Sequence, residues 1–192
     1  MKHLRFSTGI LLTALGGILL VLAGNLCAAF TPTGLFGLHM MLFNGGLVCA
    51  GLLLWVTACT ALSLWARNGL HAAVLVLTLL GSAVFTEAAL TVMGAGRMMR
   101  DSVLIWMLLL PVSAVCALLI YRSRRSFLLR AAAALTGIVI FLFDFFVCSG
   151  GEPLAVTTEF ALLILLLYCL HAAAVPRRQN RNVRCPGFIS SY

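Results

Sequence analysis

The chain has 192 residues, 62% of them hydrophobic and 9% charged, with a mean hydropathy of +1.11. A soluble globular domain carries about 25% charged residues, so this composition excludes one and points to a chain that faces lipid. The net charge of +8 does not indicate nucleic acid, because the arginines stand at the ends of apolar runs, where they set orientation in a membrane.

About 20 apolar residues of helix cross a hydrocarbon layer of roughly 30 Å. Long apolar runs without strict alternation predict helices rather than a barrel, since every spanning backbone group must be bonded internally. Met1–Thr8 is a short basic start, and Ile10–Phe30 is the first predicted span. A basic start before an apolar run also describes a signal peptide, but the run is long and the small-residue cleavage signal near Leu26–Ala29 is weak. It therefore reads as a retained helix.

Thr31–Gly37 is a Pro/Gly turn, and Leu38–Ala66 is the second span, longer than a bilayer needs and so expected to tilt. The polar link Arg67-Asn68-Gly69 leads into the third span, Leu70–Met93, which contains Glu87. Gly94–Ser102 ends in Asp101-Ser102, an expected N-cap for the fourth span, Val103–Tyr121, with a kink expected at Pro111. Arg122–Ser126 (RSRRS) precedes the fifth span, Phe127–Cys148, which holds Asp144. Ser149–Pro153 then turns the chain into the sixth, Leu154–Val175. Residues 177–192 form a basic tail without apolar periodicity, expected to be flexible.

The expected fold is all-α: an integral membrane protein with six transmembrane helices in three hairpins, 5–66, 70–121 and 127–175. With both termini cytoplasmic, eleven of the thirteen Lys and Arg residues fall inside and only Arg97 and Arg100 outside. Small residues at four-residue spacing (Gly24/Ala28, Gly46/Ala50, Ser113/Ala117, Ala133/Gly137) are expected to let helices approach closely. The seven cysteines form no CxxC pair and mostly read as small hydrophobes, leaving a Cys27–Cys148 bridge as the one pairing to test.

The sharpest chemical feature is a set of polar residues in the odd-numbered spans. Asn25, Glu87 and Asp144 stand at similar depth, six or seven residues before Thr31, Gly94 and Gly150. A carboxylate within a span is costly, by about 2.5–3.5 kcal/mol at the centre, so it should face helices or water. Two readings stay open: a polar cluster that binds a proton, cation or small polar ligand, or hydrogen bonds that fix the rotation of the helices. Glu159 is a weaker candidate, because a carboxylate also favours a helix N-terminus.

His71 with His171 is the only pair at matched depth in the spans, and both sit at the interface, where histidine is ordinarily solvated. No HxxxH, Cys/His cluster, GxSxG or P-loop is present, so no metal, cofactor or catalytic residue is assigned and a non-enzymatic role is expected. Arg122, Arg124, Arg125, Arg130, Arg177 and Arg178 are expected to meet anionic lipid headgroups. The other partners considered are a second copy of the chain or another membrane subunit, with no nucleic acid.

Three segments, GILLTALGGILLVLAGNLCAAFTP (Gly9–Pro32), YRSRR (Tyr121–Arg125) and LTGIVIFLFDFFVCSGGEPLAV (Leu135–Val156), resemble the HdeD family of bacterial inner-membrane proteins in hydropathy, glycine placement and turn position. The resemblance implies six helices in three hairpins and an association with acid resistance; the role expected on this reading is that of a non-enzymatic stress-tolerance protein, acting through proton handling or membrane integrity. The alternative is a small transporter or channel subunit using the Asn25, Glu87 and Asp144 layer.

Overall fold

An apolar segment with no water to bond closes its backbone hydrogen bonds within a helix. The computed structural model describes residues 2–29, 51–94, 100–148 and 153–173, and no strand occurs among them. Six α-helices do: α1 (Lys2–Ala29), α2 (Leu52–Trp65), α3 (Gly69–Val92), α4 (Arg100–Ser123), α5 (Phe127–Phe143) and α6 (Pro153–Ala172). A π-helical turn, Asp144–Cys148, continues α5. The chain is thus all-α among its described residues.

Four stretches are long and apolar enough to cross a membrane, as in a membrane protein: Ser7–Cys27, Gly69–Val92, Trp106–Ser123 and Phe127–Phe146. Leu52–Trp65 and Val156–Ala172 are apolar but shorter. The Thr31–Gly37 turn, the first part of the Leu38–Ala66 run and the 177–192 tail lie outside the described residues.

Local chemistry sets several helix ends. The Asn68 side chain accepts the His71 N–H at 2.7 Å and caps α3, and the Ser126 hydroxyl accepts the Leu129 N–H at 3.5 Å at the start of α5. Gly94, at φ +75°, follows α3 in the left-handed conformation that glycine adopts without strain. One expected cap is corrected. The chain is already helical at Arg100, so Asp101 and Ser102 fall inside the first turn of α4 rather than before it. Pro111 lies within that helix, which continues through it to Ser123.

The helices pack in a definite order. α1 lies along α3, and α3 also meets α4 and α2; α2 reaches α4, α5 and α6, and α5 packs on α6. Side chains give the directions. Ile10 packs by Ala72 and Leu75, Gly17 lies against Leu79 and Ser82, and Asn25 bonds Glu87, so α1 and α3 run parallel. Gly69 lies by Leu118 and Tyr121, so α3 and α4 run antiparallel; Gly137 by Leu166 and Phe141 by Phe160 show the same of α5 and α6.

At Gly17, α1 and α3 come into close contact. A Cβ there would fall on the Leu79 carbonyl and the Ser82 hydroxyl, so only glycine lets α1 sit this near. Of the small pairs expected to pack, Gly24, Ala117 and Gly137 are buried, whereas Gly46 and Ala50 lie outside the described residues. Between α2 and α6 the packed residues are Leu53, Leu64, Leu163, Leu166 and Leu170. Large apolar side chains such as Leu19, Phe85, Leu108 and Leu128 are exposed on the outside, the surface that lipid would cover.

Candidate functional site

On α6 the buried positions are Glu159, Leu163, Leu166 and Leu170, a single helical stripe at i, i+4, i+7 and i+11. The stripe that buries three leucines against α2 therefore buries the Glu159 carboxylate as well, at 1% exposure. On α3 the positions Ala72, Val76, Leu79, Ala83 and Glu87 make an equivalent stripe, which carries Glu87 into the contact with α1. Asp144 opens the π-helical turn and is fully buried. A π turn widens the helix by one residue and re-aims the side chains that follow, a geometry frequent at functional positions.

The expected polar layer divides in two. Asn25 and Glu87 are brought together: the Asn25 amide donates to Glu87 Oε2 at 2.8 Å and to the Val21 carbonyl at 3.0 Å. Asn25 Oδ1 is buried without a partner. Asp144 finds its partners on α2 and α6. Its Oδ2 accepts the Leu53 N–H at 2.7 Å, and the antiparallel pairing of Phe141 with Phe160 brings the Asp144 end of α5 to the level of Glu159 on α6.

The bond to Leu53 has a local cause. Gly51 stands at the N-cap of α2 and has no side chain to satisfy the first amides of that helix. Asp144 supplies the acceptor from another helix, and its negative charge suits the positive end of the α2 dipole. The other oxygen, Asp144 Oδ1, has no partner, and neither has either oxygen of Glu159. Thr57, one turn beyond Leu53 on the same face of α2, is also buried with an unpartnered hydroxyl.

Aromatic rings adjoin this group. Phe141 stacks edge-on against Phe160 at 6.2 Å between centroids, joining α5 to α6, and Phe145 lies 6.3 Å from Phe141. Four buried oxygens without partners, on Asp144, Glu159 and Thr57, form an unusual environment, because buried polar groups are ordinarily hydrogen-bonded. Glu159, a weaker candidate from sequence, is as deeply buried as Asp144.

The expected headgroup contacts sit at the other end of the helices. Arg122 and Arg125 are exposed, Arg130 is half-buried, and the Arg124 guanidinium lies 4.7 Å over the Tyr121 ring centre. The Tyr121 hydroxyl donates to the Arg67 carbonyl at 3.0 Å, tying the α2–α3 link to the end of α4. Arg177 and Arg178 lie outside the described residues. His71 is used in the same link, its Nδ1 accepting the Arg67 N–H at 3.3 Å, and His171 is exposed in the last turn of α6. Cys27 is a free thiol rather than half of a bridge to Cys148. No group of three or more His, Cys, Asp or Glu residues suited to a metal occurs among the described residues. No protein-family model matches the chain, and no curated protein or solved structure matches it either.

Proposed function

We propose that this chain is a non-enzymatic, multi-pass protein of the bacterial inner membrane that serves acid-stress tolerance by handling protons. The observation that carries this reading is the burial of three carboxylates, Glu87, Asp144 and Glu159, within apolar helices. Intramembrane ionisable residues are expensive to keep, and they recur where protons or ions are bound and moved. The resemblance to the HdeD family in segments Gly9–Pro32, Tyr121–Arg125 and Leu135–Val156 supports the acid-stress part of the reading.

In this reading the membrane unit is residues 1–176, with six spans in three hairpins and both termini cytoplasmic. The distribution of Lys and Arg supports it, as does the side-by-side placement of the Arg67 link and the Tyr121–Arg125 end of α4. Arg122, Arg124, Arg125, Arg130, Arg177 and Arg178 then face anionic headgroups. A second copy or another membrane subunit is a further partner this reading admits. A second functional reading, a small transporter or channel subunit, draws on Asn25, whose bond to Glu87 leaves its own oxygen open in the α1–α3 contact.

Proton flux into proteoliposomes loaded with a pH-sensitive dye tests the first reading. Protein-containing vesicles should acidify faster than protein-free ones under an imposed pH gradient, and Glu159→Gln should return the rate to the protein-free leak. Wild-type protein that acidifies no faster than empty vesicles would remove the proton-handling reading.

A further inference from the structure

We propose that Asp144 and Glu159 form a carboxylate pair that holds one proton between them, a proton-binding site enclosed by α2, α5 and α6. The pair presents four carboxylate oxygens, and among the described residues the hydrogen-bond donor that reaches them is the Leu53 amide, on Asp144 Oδ2. Three oxygens are left over: Asp144 Oδ1 and both oxygens of Glu159. Two ionised carboxylates in this setting would combine like-charge repulsion with the loss of hydration, and neither is compensated by a cation or by enough donors.

One proton changes that arrangement. A protonated carboxyl is a donor as well as an acceptor, so a single O–H can bond the partner carboxylate and satisfy an oxygen on each side. The remaining charge is one negative unit, placed where Asp144 already takes an amide at the N-terminus of α2.

Other occupants fit less well. Calcium or magnesium takes six or more oxygens, and no cluster of three candidate ligands for any metal occurs among the described residues. Among the described residues, no basic side chain stands in for the proton. Cys59 is the titratable residue of α2, and its thiol bears no positive charge that could replace the proton. On α5, Arg130 lies near the opposite end from Asp144. On α6, Tyr168, Cys169 and His171 lie more than two turns beyond Glu159. Glu87 of α3 bonds Asn25.

This inference deepens the proton-handling reading and rests on it for its biological meaning, but its test needs no gradient and no transport. Infrared spectra of the purified full-length protein in nanodiscs report protonated carboxyl groups through their C=O stretch. Subtracting the spectrum of the Asp144→Asn/Glu159→Gln protein should leave a band equivalent to one protonated carboxyl, sensitive to deuterium exchange and unchanged by added sodium. A difference of zero or two carboxyls would overturn the shared proton, and so would a band that sodium displaces at fixed pH.

If the double variant does not fold, wild-type protein labelled with carbon-13 at glutamate and then aspartate carboxyls serves instead. A deuterium-sensitive C=O band that shifts with at least one label and is unaffected by sodium keeps the proposal, and no such band overturns it. If the shared proton is found but proteoliposomes show no flux, the site stands and the transport reading falls.

Discussion

Gly17→Leu should loosen α1 from α3 and lower the stability of the folded protein by about 1–3 kcal/mol, the range for overpacked sites. Even the first carbon of a side chain at this position falls on the Leu79 carbonyl, which belongs to the α3 backbone and cannot rotate away. The helices would have to separate, and the Asn25 bond to Glu87 two turns further along would be strained with them. Gly16 supplies the control, since a Cβ there meets nothing within 4 Å. Thermal denaturation in one detergent should show a lowered midpoint for Gly17→Leu and an almost unchanged one for Gly16→Leu. Equal midpoints would mean that α1 does not pack on α3 through this glycine.

Asp144→Leu should also be strongly destabilising, by about 1–3 kcal/mol, because it leaves the Leu53 amide buried without an acceptor. The loss is specific to the first turn of α2, which begins at a glycine with no capping side chain. Asp144→Asn retains an amide oxygen in the same place, so it should recover most of that stability. Hydrogen exchange checks the cause directly: the Leu53 amide should exchange faster in Asp144→Leu than in Asp144→Asn. Protection of that amide in the leucine variant would show that another group satisfies it.

Much of the fold was legible because apolar length translates directly into helix. The matched depth of Asn25 and Glu87 was legible too, since rise per residue fixes how far each lies from its turn. The partner of Asp144 was not. It is a backbone amide, which every residue except proline carries and which no pattern marks.

Glu159 carried a readable signal that was outweighed. Its spacing to Leu163, Leu166 and Leu170 placed it on the buried stripe, but its position near the start of α6 favoured a helix-dipole explanation. Gly17 shows another limit. Small-residue pairs at four-residue spacing marked Gly24 on α1, whereas the close contact depends on what the facing helix presents, here the Leu79 carbonyl. The misplaced cap at Asp101-Ser102 has a similar origin: two residues well suited to capping lie within a helix that is already formed at Arg100.

The proton-handling reading depends on the chain crossing the membrane six times, with the Asp144 end of α5 on the outer side and both termini inside. Compartment-sensitive reporters fused at Tyr192 and inserted in the Ser149–Pro153 link test this most directly. Opposite compartments are the expected result, with the Tyr192 reporter cytoplasmic and the link reporter periplasmic. Both reporters in the same compartment would contradict the six-span arrangement.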